Sequence, residues 1–246
     1  MELTRTQEIL LRHLPQTGVI LDIGGGPGVY SLWLAKQGYT VHLVDMIPLH
    51  IEQARRASEA QGDYQIAGLQ AGDARKLEFE SNVADSVLLF GPLYHLTDRE
   101  DRIKALNETY RVTRPGGMIF IATISRFALM IDSFKSNFIA NKELYDATVQ
   151  TIRTGTHQNP TGDADFFTDA YFHHPHEIRD EVEEVGFEHK TTISVEGPFW
   201  MFSNFHERWD DPVVRERILN YIRMIESEET VIGTSMHLMT VCQKPM

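Results

Sequence analysis

An α/β fold built on a doubly wound, mostly parallel sheet is predicted by three observations. Val19-Ile20-Leu21-Asp22-Ile23 is a short apolar run that breaks into Gly24-Gly25-Gly26-Pro27-Gly28. A second run, Val41-His42-Leu43-Val44, ends in the carboxylate of Asp45. Between them, Tyr30-Ser31-Leu32-Trp33-Leu34-Ala35 before Gly38 suits a covering helix. Short apolar runs bounded by glycine suit strands buried on both faces of a sheet. The glycines let the backbone turn sharply and approach a ligand where side chains would collide. Asp45, about 20 residues past the glycines, stands where a carboxylate accepts from both hydroxyls of a ribose. A nucleotide-like ligand with a free ribose is therefore expected across the two strands. The alternative is that Asp45 merely caps the helix opening at Pro48.

The remaining elements follow in order. A helix is expected over 7–14, ahead of the first strand. Pro48 opens a helix carrying Ile51, Ala54 and Ala57. Asp85-Ser86-Val87-Leu88-Leu89 reads as the fourth strand. Thr97-Asp98-Arg99-Glu100 reads as a capping box opening a helix with Ile103, Leu106 and Tyr110 on one face. Pro115-Gly116-Gly117 turns the chain into a strand over 118–123. The alternation then stops until a helix over Pro175–Val185 closed by Gly186. A structureless loop of about 50 residues is improbable inside a compact domain, so helices are predicted around 127–138 and 142–154. They form a helical insertion, 125–174, within a single domain covering 1–246. Its Phe127, Met130, Phe134, Phe138, Phe166, Phe167, Tyr171 and Phe172 suit a lid that, with the N-terminal helix, closes over the ligand. The alternative is a passive insertion docked on the core. A helix after Asp211-Pro212 carries Val214, Ile218, Tyr221, Ile222 and Ile225, and a last strand runs over 236–242.

Composition limits the partners. With 246 residues and 42% hydrophobic content the chain can bury a substantial core. Its net charge of −12, from 35 acidic against 23 basic residues, repels polyanions and argues against nucleic acid. No stretch approaches the roughly 20 apolar residues of a membrane span, and the N-terminus lacks the apolar core of a signal peptide. A cytoplasmic protein with no membrane partner is expected, and a homodimer is compatible with the sequence. The single cysteine, Cys242, has no internal disulfide partner and suits a small buried hydrophobe on the last strand.

A dinucleotide would be the usual ligand of such a loop, yet its Gly-x-Gly-x-x-Gly/Ala spacing fails. Counted from Gly24 and Gly26 the third position is Val29, and from Gly26 and Gly28 it is Ser31. Pro27 also removes a backbone N–H that a pyrophosphate would need. A ligand without phosphates fits better. Leu21-Asp22-Ile23-Gly24-Gly25-Gly26-Pro27-Gly28 resembles the first motif of the class I S-adenosylmethionine-dependent methyltransferases. The likeness continues through Asp45, through Ala71-Gly72-Asp73-Ala74, through Asp85 to Leu96 and through Arg111 to Phe120, covering 19–123. The segment Gly91-Pro92-Leu93-Tyr94-His95-Leu96 also resembles that of uncharacterised bacterial members.

The resemblance implies a Rossmann-like seven-stranded sheet with its last strand antiparallel, and S-adenosylmethionine as cofactor. It implies that Gly24, Gly25 and Gly26 pass beneath the methionine part and that Asp22 pairs with the ammonium group, directly or through water. Asp45 would take the ribose hydroxyls, Met46 would face the adenine, Asp73 would accept from its amino group and the Ala74 N–H would donate to the ring. Asp73 as an ordinary turn residue, and Asp22 as an organiser of the loop, are the structural alternatives. Phe90 and the residues after it, at the carboxyl edge of the fourth strand, are the expected floor of the transfer site. Where DNA amino-methyltransferases carry an Asn/Asp-Pro-Pro-aromatic motif, this chain has Phe90 and Gly91 in place of its polar residue.

Methyl transfer from a sulfonium is an in-line displacement that needs alignment and exclusion of water, with a base only where the nucleophile carries a proton. Tyr94 and His95 are the candidates for positioning or proton removal, against packing on the cofactor and bonding a backbone carbonyl. His173, His174 and His176 match no standard metal-ligand spacing, so no metal is expected and a solvated helix start is the reading. Arg126 suits an anionic substrate group or an acidic neighbour. Phe199, Trp200, Met201, Phe202 and Phe205 suit one wall of a substrate pocket or core packing. The function expected is methyl transfer to an oxygen or nitrogen, less so a carbon, of a small-molecule acceptor. An NAD(P)-dependent oxidoreductase and a non-catalytic S-adenosylmethionine-binding protein are the alternatives.

Overall fold

The computed structural model describes residues 1–136, 138–159, 162, 167–201 and 205–246. Its strands are β1 (Val19–Ile23), β2 (Thr40–Asp45), β3 (Gly68–Ala71), β4 (Ala84–Leu89), β5 (Thr113–Ile124), β6 (Thr156–His157), β7 (Ala170–Tyr171), β8 (Glu188–Ser194) and β9 (His237–Gln243). Seven of them form one sheet in the order β3-β2-β1-β4-β5-β9-β8. The first five are parallel, and β9 runs antiparallel to both β5 and β8. This is the doubly wound sheet expected, its last strand reversed. The order changes direction between β1 and β4, which is where such sheets open a crevice beyond their carboxyl ends.

The helices are α1 (Glu2–His13), α2 (Val29–Lys36), α3 (Pro48–Glu59), α4 (Pro92–His95), α5 (Arg99–Val112), α6 (Ala128–Ser136), α7 (Lys142–Thr154), α8 (Pro175–Val185), α9 (Phe205–Trp209) and α10 (Pro212–Ile225). Successive strand residues point to opposite faces, so each buried strand feeds two cores. Ile20, Leu88, Phe120 and Val241 pack with Ile9 and Leu10 of α1 and Leu34 of α2. Leu21, Val87, Ile119 and Ile121 pack on the other face with Leu106 of α5 and with Ile178 and Val182 of α8. Each such side chain contributes about 1.5–3 kcal/mol by leaving water.

Several local expectations are corrected. Helix α1 starts at Glu2, ahead of the expected 7–14. The cap of α5 is Asp98, whose carboxylate accepts from the Glu100 N–H at 2.8 Å, and not Thr97. The insertion 125–174 is not purely helical, because β6 and β7 pair into an antiparallel ribbon after α7. A bridge between Ser125 and His173 joins its two ends. Ile124, Ala128, Ala170 and Phe172 bury a small core there, with Tyr94 against it. Phe134 and Phe167 stay exposed. Phe166 and Phe202 lie outside the described residues, as do the side chains of Phe138 and Phe205.

His173 is not solvated. It is fully buried, with Nε2 3.3 Å from a Glu181 carboxylate oxygen. The same carboxylate takes two guanidinium nitrogens of Arg102, itself 1% exposed and stacked 3.6 Å from the centre of the Tyr171 ring. His174 caps α8 through its ring nitrogen and His176 is exposed, so the solvated start at Pro175 holds for these two and fails for His173. Arg126 donates to the Phe172 carbonyl and pairs with Glu177, which makes it a structural tie. Cys242 is buried on β9, and burial pushes its thiol far up. No helix among the described residues is long and apolar enough to cross a membrane.

Candidate active site

The carboxyl ends of β1, β2, β3 and β4 open into a cleft of about 690 Å³. Ile23, Gly24 and Gly26 line it from β1, Asp45 and Met46 from β2, Asp73 and Ala74 from the turn after β3, and Tyr94 and His95 from α4. The structure thus gathers most of the residues singled out in the sequence. Ile47, His50, Arg75, Asp98 and Asp101 also line it and were not foreseen as site residues. Arg75 carried a readable signal, standing two residues after Asp73.

The glycine loop is held by the protein itself. The N–H groups of Gly24 and Gly25 donate to the Val44 carbonyl at 2.7 and 3.4 Å, and that of Gly28 donates to Gly25 at 3.0 Å. The Gly26 N–H donates to Asp45 Oδ2 at 2.8 Å. Pro27 has none. Every donor from residue 24 to 28 is therefore occupied or missing, and the loop offers no cradle for a phosphate. Gly26 has φ +56°, and a Cβ built there meets no protein atom within 4 Å, so the space above it is free for a ligand. Gly24 and Gly25 are small for internal reasons: their Cβ atoms would fall 2.5 Å from Pro92 Cδ and 2.6 Å from Asp22 Oδ2.

Asp45 is also engaged at the start of α3, where Ile47 is the N-cap, so it holds that end of the helix without being its cap. Besides Gly26, it accepts from the Ile47 N–H at 2.9 Å and faces His50 Nδ1 at 3.0 Å. A carboxylate has roughly four acceptor positions, so about one is left for a ligand hydroxyl, not the pair expected. Asp22 is fully buried beneath Gly25. Its Oδ2 accepts from the Ser31 hydroxyl at 2.6 Å, while its Oδ1 has no hydrogen-bond partner among the described residues. Burial pushes its pKa up to about 6, against the pull of Ser31 and with added repulsion from Asp45. Its position favours ordering the loop, with charge felt through it.

Asp73 is held by Arg75, whose guanidinium lies 2.6 Å from Oδ2 and reaches Asp101 at 2.5 Å. That pairing holds the Asp73 carboxyl below its usual range. Phe90 does not reach the cleft. It stands on the same face as Leu88, edge-on to Tyr30 at 5.1 Å, and strand alternation places it there. Tyr94 donates its hydroxyl to the Phe90 carbonyl at 3.1 Å and is raised in pKa by burial; burial lowers His95. Phe199, Trp200 and Met201 line neither this cleft nor the cavity beside it, and Trp200 is tied to the Thr234 carbonyl at 2.9 Å. No described residue of 125–174 lines the cleft.

Asp45, Asp73, Asp98 and Asp101 face a single guanidinium, Arg75, and two imidazoles, His50 and His95. An acidic cleft whose loop donors are already engaged suits a cationic nucleoside and repels a pyrophosphate. S-adenosylmethionine, with a sulfonium, an ammonium and no phosphate, fits this donor set.

Residues 21–121 match the family described as a methyltransferase domain. A ubiquinone biosynthesis O-methyltransferase of Methylocella silvestris is 34% identical over 110 residues, 44% of this chain and 40% of that protein. A ubiquinone/menaquinone biosynthesis C-methyltransferase of Acidiphilium cryptum is 32% identical over 108 residues, 44% of this chain and 42% of that protein. The likeness thus spans less than half the length of these curated relatives. A crystal structure of a S-adenosylmethionine-dependent methyltransferase from Methanosarcina mazei superposes with a TM-score of 0.65 at 19% identity, covering 97% of each chain, a likeness of fold alone. Residues 21–121 thus form a methyltransferase domain, and the strand order and the phosphate-free glycine loop agree with the class I S-adenosylmethionine-dependent type.

Proposed function

We propose that the protein transfers a methyl group from S-adenosylmethionine to an oxygen or nitrogen atom of a small molecule. The observation that carries the reading is the cleft itself: loop donors engaged internally, open space over Gly26, and carboxylates in excess. S-adenosylmethionine supplies an electrophilic methyl group on a sulfonium. The acceptor's lone pair forms the new bond to carbon, the sulfur keeps the electron pair of the bond that breaks, and an acceptor proton passes to a base or to water. Asp45 and the backbone over Gly24 and Gly26 hold the donor, Met46 offers an apolar face to its base, and Asp22 supplies negative charge from below. Tyr94 and His95 stand on the acceptor side, where burial lowers the pKa of the imidazole and raises that of the phenol. Excluding water around such a group is the main work of the walls.

The acidic charge of the chain favours a small acceptor over a polyanion. The two relatives act, by their names, at oxygen and at carbon, so relatedness does not choose the atom. Calorimetry with S-adenosylmethionine, S-adenosylhomocysteine and NAD tests the donor reading, with binding of the first two and none of NAD as the expected result. Release of S-adenosylhomocysteine across an acceptor panel tests transfer; binding without release over the whole panel favours a non-catalytic binder.

A further inference from the structure

Beside the cleft, on the far side of Tyr94, lie two further cavities. The smaller, about 80 Å³, is lined by Tyr94, Tyr30, Phe90, Thr6, Glu2 and His237 among others. The larger, about 200 Å³, lies between the end of β5 and the insertion, with Ile124, Ala128, Leu144, Thr148, His157 and Phe172 in its walls. Tyr94 belongs to both the cleft and the small cavity, while Ile124 and His237 belong to both the small and the large one. The three spaces therefore share walls in sequence, and His237 stands at the second junction.

His237 is the first residue of β9, and it pairs in register with Ile124 at the end of β5. Because β9 runs antiparallel, its first residue sits at the sheet edge that carries the cleft. Glu196, just past the end of β8, holds His237 Nδ1 at 2.5 Å. Its other oxygen accepts from the Ser235 hydroxyl at 2.9 Å and the His237 N–H at 3.2 Å. Glu196 is 4% exposed, whereas the His237 side chain is 35% exposed and its Nε2 has no hydrogen-bond partner among the described residues. A buried carboxylate fixing one imidazole nitrogen sets the tautomer and leaves the other nitrogen to accept a proton.

Resting on the methyl-transfer reading above, we propose that His237, positioned by Glu196, is the general base for an acceptor whose body occupies the larger cavity. The acceptor class follows from size and lining. A dry cavity of about 150 Å³ lined by apolar side chains admits a benzene ring. The slightly larger space here, walled by Phe172, Phe167, Leu144 and Ala128, suits one substituted aromatic ring carrying a hydroxyl or amine. The hydroxyl proton passes to Nε2, leaving an oxyanion and an imidazolium, and the proton leaves to water after transfer. Burial alone would lower the pKa of His237, but the Glu196 carboxylate outweighs it and the result is raised, which makes Nε2 a stronger base. The other groups facing it are Glu2 of α1, with its carboxylate 3.9 Å from Nδ1, the Tyr30 and Tyr94 phenols, and Asp132 and His157 across the larger cavity. Burial pushes Tyr30 up to about 12 and raises Tyr94, so neither phenol competes for the proton at neutral pH.

The test uses the full chain saturated with S-adenosylhomocysteine and 4-nitrophenol as probe, whose phenolate is read by absorbance at a pH one unit below the ionisation of the free phenol. The wild type should bind the probe and raise the phenolate-to-phenol ratio about tenfold, one pKa unit. His237→Asn should abolish that gain. Glu196→Gln, which keeps an oxygen for Ser235, should shrink it by weakening the base. Ala147→Phe, on the cavity wall, should abolish probe binding. Circular dichroism checks that each variant is folded, and calorimetry with S-adenosylhomocysteine should give affinities within about twofold of wild type. No probe binding, binding without extra phenolate, or an unchanged gain in His237→Asn overturns the proposal while leaving the donor reading intact. Failure of the wild type to bind S-adenosylhomocysteine overturns the donor reading instead.

Discussion

Replacing Asp45 by Asn separates the loop-clamping contacts of this side chain from the ribose contact proposed for it. As aspartate, its Oδ2 accepts from the Gly26 N–H at 2.8 Å and its Oδ1 from the Ile47 N–H at 2.9 Å, with the side chain 10% exposed. Asparagine keeps one oxygen, which can serve Ile47, but it turns an NH₂ group toward the Gly26 N–H, donor against donor. A hydrogen bond to a charged group contributes about 1.5–3 kcal/mol, and a chain of this size loses about 2–4 °C of melting temperature per kcal/mol. The apo variant should therefore melt about 3–12 °C below the wild type. The remaining acceptor position of the carboxylate is the one open to a ribose hydroxyl. Losing its charge should cost a similar amount in binding, raising the Kd for S-adenosylhomocysteine about 10- to 100-fold. Differential scanning fluorimetry and calorimetry on the same preparation read both numbers. A lower melting temperature with unchanged affinity would leave Asp45 only a clamp on the loop. Unchanged values of both would refute the hydrogen-bond reasoning altogether.

Three further outcomes follow from the same geometry. Gly26→Ala places its methyl in open space at φ +56°, so it should cost about 1–2 kcal/mol of stability and yet weaken S-adenosylhomocysteine at least tenfold; Gly24→Ala, driven against Pro92, should lower the melting temperature further, and wild-type affinity in Gly26→Ala would place the ligand elsewhere. Asp22 has a folded pKa of about 6, above its unfolded value, so its contribution is present below about pH 4 and lost as pH rises through 6. Urea melts should show Asp22→Asn gaining on the wild type between pH 4 and 7, by about 3 kcal/mol at most, and a difference independent of pH would refute the burial account. Arg102→Met strands the buried Glu181 and the carbonyls of Leu96 and Thr97, so a loss of about 3–5 kcal/mol is expected, seen as a melting temperature about 10 °C lower; a change of under about 1 °C would show that Glu181 and His173 re-pair without it.

What was legible in the sequence was local. The β1 run, the glycines, the β2 run and Asp45 lie within 27 consecutive residues, 19–45, and their chemistry depends on neighbours in the chain. The parallel sheet follows from that pattern repeated. Strand β8 was not legible, because Glu188-His189-Lys190-Thr191-Thr192 is polar and becomes a strand through pairing with β9, residues 237–243. The burial of His173 depends on Glu181 and on Arg102, which is 79 positions from Glu181, so a cluster of histidines before a proline read as solvated. Phe90 is the instructive case: the alternation that puts Leu88 on the α1 face puts Phe90 there too, and strand parity read from the sequence argues against it as floor of the transfer site.

The pair Glu196 and His237 shows why topology had to be known before the acceptor side of the site could be found. In a parallel strand the functional position is the last residue, as with Asp45 in β2, and the search naturally follows carboxyl ends. Strand β9 enters the sheet reversed between β5 and β8, so the residue it delivers to the ligand edge is its first. Strand β8 is antiparallel to β9 and ends at that same edge, which brings Glu196, 41 residues earlier in the chain, against the His237 ring. Neither residue belongs to the segment matched by the methyltransferase domain, which stops at 121. On the proposed reading the donor half of the site lies on parallel strands inside the matched segment, and the acceptor half at β8 and β9 outside it.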